Sequence, residues 1–492
     1  MKQAAGALLS SIKLDRTSRR SVGVQLYMAL RDIILSGGLR AGERLPATRT
    51  LARETGVSRT TAIDAIDRLV AEGMLESRVG AGTFVSDTLD NQRPAPRPRQ
   101  AAQSDRQKPR LSYTIGLAEK TYAGRKWLPH EARAFVTALP ALDAFPMAHW
   151  SRLSARHLRG GRGDVMGYGQ PQGLQALRRA IAAHLSALKG LSCKPEQIFI
   201  TAGAQHAFSL IGRLFLNPGD RVWMENPGAS GARNALLSEG AEIVPVDVDG
   251  EGIVVSDGRA KAPHFRLAFV TPSHQQPLGH VMSLGRRFEL LQAAEEAQAL
   301  IIEDDYDGEF YYGNAPQPAL YGTDTSERVL YVGTFSKSLF PALRLGFVLV
   351  PERMIDAFDQ AFQAWVSGPP TSTQAIVADF MDEGHFATHI RLMRRLYKAR
   401  YDALMEAAPS LPDSIQLQET SSGFHTPAIL DQRIDAMAVV QQAAEKGVTL
   451  APLARYCLEP IPQKGLVFGF GSATPEDISR GIGIIRDLQA LR

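Results

Sequence analysis

The stretch "YVGTFSKSLFPALRLGF", residues 331–347, decides how the larger part of this chain is read. An apolar run ends among small and hydroxyl residues that surround one lysine, Lys337, and an arginine, Arg344, follows seven positions later. Working outward, apolar β-rich runs ("QIFITAG", "DRVWMENPG", "AEIVPVDVDG", "FRLAFVTPS", "ALIIEDDY", "VLYVGTFSK", "LGFVLVP") alternate with helical stretches such as "GLQALRRAIAAHLSAL" and "LGRRFELLQAAEEAQA". Such alternation predicts an α/β domain with a mostly parallel central sheet covered by helices. In sheets of that kind ligands sit beyond the carboxyl ends of the strands.

The chemically unusual residues fall at those ends. "TAGAQHAF" follows the strand "IFI" and opens a helix, so Gly203, Ala204 and Gln205 can offer backbone N–H groups and a helix dipole to a phosphate. "TPSHQQP" follows "LAFV"; "EDDYD" follows "ALII" and brings Asp304, Asp305 and Tyr306 to the same rim; Lys337 arrives after "VLYVG". A partly desolvated lysine acts more readily as an amine and can form a Schiff base with an aldehyde. A carboxylate can hold a proton on a pyridine nitrogen, and an arginine supplies forked donors to a phosphate. Those are the needs of pyridoxal phosphate, with Lys337 for the aldehyde and Arg344 for the phosphate.

Composition bounds the remaining possibilities. At 492 residues and 44% hydrophobic, the chain is long enough for at least two domains with their own cores. No window approaches the roughly 18 to 20 apolar residues of a spanning helix, and the N-terminus lacks a signal-like core, so a soluble, cytoplasmic protein is expected. Cys193 and Cys457 form no CxxC pair, which supports neither a disulfide framework nor a cysteine metal site, and no metal is expected.

The net charge of +4 is unevenly spread. Residues 1–112 hold 19 Lys+Arg against 11 Asp+Glu, which is +8, leaving −4 for the remainder. That asymmetry points the N-terminal part toward a polyanion. Some of the excess lies in "RPAPRPRQAAQSDRQKPR", residues 93–110, a Pro-, Gln- and Arg-rich linker with no core to bury. Its charges serve either phosphate contact or simple self-repulsion. Before it, "VQLYMALRDIILSGGL" places Leu26, Leu30, Ile33 and Ile34 at helical spacing. A helix around Thr48 to Thr55 ends at Gly56, and Ser58 is placed to cap a second helix running to about Glu72. Helix, turn, helix presents Arg59, Thr60 and Thr61 to the major groove, and "LESRVGAGTFVS" adds two short strands around a glycine turn, as a wing.

These motifs carry a resemblance. Leu45 and Pro46, Arg49, "GVSRTT" (56–61), "AEGML" (71–75) and "GAGTFV" (80–85) resemble the winged helix-turn-helix of the GntR family. "TPSHQQPLG", "IIEDDYDGEF" and "GTFSKSLFPALRLGF" resemble a fold-type-I aminotransferase, and the whole is similar to the MocR/GabR subfamily of GntR regulators. The resemblance implies three segments: 13–88 for the DNA-binding domain, 89–112 for the linker and 113–492 for the pyridoxal phosphate domain. It implies an internal aldimine on Lys337, Asp304 at the ring nitrogen, Tyr306 near the phenolic oxygen, and Arg344, Ser336, Thr334 and the turn at Gly203, Ala204 and Gln205 around the phosphate. Either His274 or Gln275 would face the ring. Tyr168, in "YGQPQG", would reach the neighbouring subunit's phosphate, which implies a homodimer with shared sites. To double-stranded DNA it assigns Arg49, Ser58, Arg59, Thr60 and Thr61 and, on the wing, Arg78, Gly80 and Gly82.

Three departures stand out. Asp64 and Asp67 put negative charge on the second helix, where they accept from a cytosine amino group or pair with Arg68. "ENPGASG" has Ala229 where relatives carry an aromatic, and "GLVFGFGS" has Val467 where aminotransferases carry a carboxylate-clamping arginine. The effector therefore either lacks a carboxylate or is held by another group such as Arg233 or Arg455. The expectation is a regulator that senses an amino compound, or pyridoxal phosphate itself, at Lys337. A working aminotransferase with a DNA-binding domain is the alternative, and a large domain used only for dimerisation a third.

Overall fold

A computed structural model describes residues 12–18, 20–78, 80–87, 133–159, 163–313 and 317–491, and the expected linker lies outside them. The chain divides into two compact units, Met1–Pro109 and Arg110–Arg492.

In the first unit, helix α1 (Val22–Ser36) buries Leu26, Leu30 and Ile34, spaced four apart and therefore on one face. The Ser21 side chain caps its start, and Gly37, at φ 82°, ends it. Helix α2 (Thr48–Thr55) stops at Gly56, at φ 67°, and α3 (Arg59–Ala71) begins where Ser58 accepts from Thr61 N at 3.0 Å. Leu51, Ala62, Ile66 and Leu69 join the α1 stripe in one core. Burying each large aliphatic side chain there is worth about 1.5–3 kcal/mol. Strands β1 (Leu75–Arg78) and β2 (Gly82–Val85) form the antiparallel wing, and Arg44 and Arg78 flank the Phe84 ring, with Arg78 4.8 Å from its centroid. Gly82, at φ 113°, holds a conformation that strains any other residue, and a Cβ there would lie 2.8 Å from Arg44 Nε and displace that side chain.

The second unit is built on an eight-stranded sheet. Its strands are β3 (Ile198–Thr201), β4 (Arg221–Asn226), β5 (Glu242–Asp249), β6 (Gly252–Ile253), β7 (Leu267–Val270), β8 (Leu300–Asp305), β9 (Val329–Thr334) and β10 (Gly346–Leu349). Their spatial order is β3-β10-β9-β8-β7-β4-β5-β6. Strands β9, β8, β7, β4 and β5 run parallel, whereas β10 is antiparallel to both β3 and β9. Every strand run read from the sequence is present. The sheet is covered on both faces, which is why these runs are apolar at successive positions. Leu267, Phe269, Leu300 and Ile302 face one core, while Ala268, Val270 and Ile301 face the other.

A second, antiparallel sheet falls outside the sequence reading: β11 (Ile415–Leu417), β12 (His425–Leu430), β13 (Ala451–Pro452) and β14 (Lys464–Gly469), ordered β11-β12-β14-β13. It matters for function because β12 starts at His425, beside the large sheet's carboxyl edge.

Glu303, fully buried in β8, receives the backbone N–H groups of Leu320 and Tyr321, both at 2.8 Å. Burial, reinforced by Asp305, pushes its carboxyl up to about 7. A raised acid favours the folded state while protonated, so this contribution is complete below about 4.5 and is lost as pH climbs through about 7. Urea denaturation between those pH values should show wild-type stability falling by on the order of 3 kcal/mol more than that of Glu303→Gln. Parallel pH slopes for the two proteins would contradict the assignment.

Candidate functional site

The sheet's topology gathers the residues singled out from the sequence. Because β10 runs against β3 and β9, its first residue, Gly346, is paired with the last residues of both, Thr201 and Thr334. The turn after β3, the end of β9 and the chain entering β10 therefore converge. Their approach is close: a Cβ on Gly346 would lie 2.9 Å from Gly333 O and 3.1 Å from Gly203 Cα. Gly203, at φ 90°, precedes helix α4 (Ala204–Phe215) with no side-chain cap, which leaves the N-terminus of a twelve-residue helix facing the convergence. Thr334 Oγ1 accepts from Ser336 N at 3.2 Å and caps the short helix α5 (Phe335–Ser338), which carries Lys337.

Arg344 adopts a left-handed conformation, φ 50°, ψ 45°, and is exposed without an ion-pair partner among the described residues. Its charge is felt by His206 on α4, whose imidazole is lowered by burial first and by Arg344 second. Arg344, Ser336, Thr334 and the turn at Gly203, Ala204 and Gln205 thus form one rim.

The acids at the end of β8 separate by strand alternation. Asp305 shares the face of Ile301 and Glu303 and bonds Lys189 Nζ at 2.7 Å and Tyr331 OH at 2.6 Å. Burial would raise its carboxyl, but the Lys189 ammonium outweighs that and holds it low. Asp304 continues the face of Leu300 and Ile302. It is buried, its Oδ1 has no hydrogen-bond partner, and burial followed by Asp305 and Asp307 raises its carboxyl well above the ordinary range. Lys337 is the charge that pulls it back. Lys337 Nζ donates to Ala138 O at 2.6 Å; Ala138 sits at φ 65°.

Tyr306 OH lies 2.9 Å from His274 O and 3.1 Å from His274 Nδ1, and that nitrogen is 2.9 Å from Asp307 Oδ2. Of the two residues left open from the sequence, His274 is engaged with Tyr306 and Asp307. Gln275 donates to Glu225 Oε2 (3.1 Å) and Pro227 O (2.8 Å). The cavity beside Lys337 is lined instead by Gln276, together with Thr137, Tyr306, Phe424, His425 and Tyr456. Gln276, Phe424, His425 and Tyr456 were missed, and a lone polar or aromatic residue in an ordinary loop or strand gives no signal of its own.

Other expected residues lie elsewhere. Tyr168 is fully exposed and away from the cavity lining. Ala229 is buried ahead of a helix, and Val467 is buried on β14 opposite Pro427 and Ala451. Arg233 is buried and donates to Cys457 O at 3.2 Å. Neither Arg233 nor Arg455 lines the cavity. In the first unit Arg49, Ser58, Arg59 and Thr60 are exposed and Thr61 half-buried at the start of α3, and Arg78 and Gly80 are exposed on the wing, with Gly82 half-buried beside them. Asp64 and Asp67 are exposed, with no ion pair to Arg68 among the described residues.

Comparison with known proteins matches both units. Residues 23–85 match the model of bacterial regulatory proteins, gntR family, and residues 142–460 that of aminotransferase class I and II. The chain is 38% identical over 478 residues to the probable rhizopine catabolism regulatory protein MocR of Rhizobium meliloti, covering 96% of this chain and 94% of that one. Among solved structures, Pyrococcus horikoshii kynurenine aminotransferase in complex with PMP is similar over 77% of this chain and 94% of its own, at TM-score 0.67 and 26% identity. Thermus thermophilus LysN, an alpha-aminoadipate aminotransferase complexed with N-(5'-phosphopyridoxyl)-L-leucine, matches at the same score and identity, over 77% of this chain and 95% of its own. With a gntR-type winged helix ahead of a class I and II aminotransferase domain, and that likeness running nearly end to end, the chain belongs to the MocR-type transcriptional regulators of the GntR family.

Proposed function

We propose that this protein is a DNA-binding transcriptional regulator whose large domain holds pyridoxal 5'-phosphate and uses it to sense an amino compound, or the cofactor itself. The observation that carries the reading is Asp304: a buried carboxyl with an unpartnered oxygen, aimed away from the Lys189 pair that occupies its neighbour. A pyridinium N–H is the partner such a group lacks, so the residues present fit the cofactor. When bound, the cofactor supplies an aldehyde that condenses reversibly with primary amines. Lys337 would hold that aldehyde. The N–H groups at the start of α4, with Ser336, Thr334 and Arg344, would bind the phosphate. Tyr306, fixed by His274, would orient the ring's oxygen side, while Asp304 would keep the ring nitrogen protonated.

The DNA half of the reading rests on α3 and the wing. Arg59 and Thr60 stand exposed at the N-terminal end of α3, where a recognition helix meets base edges, and Arg78 stands on the wing, where a cation meets phosphates. A symmetric dimer in which Tyr168 of each chain completes its neighbour's phosphate site agrees with that side chain's full exposure.

Lys337→Ala should lose all cofactor absorbance on desalting, whereas the wild-type protein keeps it; retention by the variant would end this reading. Asp304→Asn should weaken cofactor retention by about ten- to a hundredfold in equilibrium dialysis, the value of a charge-assisted hydrogen bond. On an operator selected from a random library, Arg59→Ala should cost about 1–3 kcal/mol and relax preference at one base position. A loss spread evenly over all sequences would make it a phosphate contact instead.

A further inference from the structure

The next step rests on the site reading above and concerns the half of the effector that points away from Lys337. His425 opens β12 and lines the same cavity as Lys337, with Gln276, Phe424 and Tyr456 around it. The ring is 5% exposed and hydrogen-bonded to the Pro277 carbonyl. Its Nε2 is buried with no hydrogen-bond partner among the described residues, which leaves Nδ1 to make that bond and carry the proton. Burial first, then the neighbouring His274 and Lys337, holds the imidazole well below its ordinary range, so it stays neutral. A neutral imidazole that donates through one nitrogen presents only a lone pair at the other.

The His425 ring lines a cavity that has no arginine among its described lining residues. Val467 occupies the position read from the sequence as the clamp, packed against Ala451, Leu453 and Tyr456, and Lys337 is the sole cationic side chain among the described residues of the lining. A carboxylate entering here would meet an acceptor, three aromatic rings and the nearby acids Asp304 and Asp307, with no cation but Lys337, which the cofactor would engage, to offset its lost hydration. A second ammonium would likewise carry a charge into a dry site. A hydroxyl group donates one hydrogen bond and brings no charge. The grouping of His274, Asp307 and His425, whose ligand atoms lie within 4.8 Å of one another, is committed differently: His274 Nδ1 already bonds Asp307.

We propose that His425 Nε2 is the specificity-determining acceptor of the effector subsite, and that the effector is a primary amine bearing a hydroxyl group in place of a carboxylate.

The full-length protein loaded with pyridoxal phosphate is titrated calorimetrically with matched pairs, 2-aminoethanol against glycine and 3-aminopropan-1-ol against β-alanine. The hydroxyl member of at least one pair should bind about tenfold or more tightly than its carboxylate counterpart, the size of one buried hydrogen bond plus the avoided desolvation. His425→Leu should collapse that ratio toward one by weakening the hydroxyl member. His425→Gln, which keeps a side-chain acceptor, should retain part of the ratio and serves where the leucine variant does not fold, as judged by its urea transition. Tighter or equal binding of the carboxylate members overturns the proposal, as does a ratio unmoved in both variants. Retention of cofactor absorbance by the wild-type protein is scored separately and bears on the site reading alone.

Discussion

Five carboxyl groups are buried at the carboxyl edge of one sheet: Glu225, Glu303, Asp304, Asp305 and Asp307. Charge taken out of water has to be paired, hydrogen-bonded or neutralised. Four of the five are dealt with inside the chain. Glu303 receives two backbone N–H groups, Asp305 has Lys189 and Tyr331, Asp307 has His274, and Glu225 has Thr271 and Gln275. Asp304 is the one of the five with no hydrogen bond or ion pair among the described residues; its Oδ1, like that of Asp305, has no partner. A protonated ring nitrogen is a group whose charge and donor capacity would suit a carboxyl left in that condition.

The reversed strand β10 does for the anion what the acids do for the ring. A strand parallel to its neighbours would deliver its carboxyl end to the rim; the antiparallel one delivers its beginning, and so places Arg344 beside the turn at Gly203 and the hydroxyls of Thr334 and Ser336. The stretch from Thr334 to Arg344 and the distant turn at Gly203 then share one positive corner. Glycine at 346 is a steric requirement of that approach, since a Cβ would press on Gly333 O and Gly203. The far side of the cavity comes from the start of β12, through His425 and the Phe424 that precedes it.

The DNA-binding unit repeats the lesson at smaller scale. Its boundaries follow local rules: Ser21 and Ser58 cap, Gly37 and Gly56 terminate, and a stripe of leucine and isoleucine closes the core. Asp64 and Asp67, which could have been absorbed by Arg68, make no ion pair with it among the described residues and lie on the exposed face of α3.

Much of this was legible in one dimension, because hydrophobic period, caps and glycine turns are local properties of the chain. The winged helix, the alternating α/β domain, and the arrival of Lys337, Asp304, Tyr306 and Arg344 at strand ends could all be read from residue order. What residue order left open was decided by packing across long sequence separations. Adjacent Asp304 and Asp305 differ only in which face of β8 they take. His274 and Gln275 are each claimed by buried acids, which leaves the rim to Gln276, and His425 enters the cavity from more than eighty residues beyond Lys337. The chain therefore announced a lysine site by itself, but only the meeting of two sheets determined what surrounds that lysine, because burial and hydrogen-bond satisfaction are properties of the assembled interior.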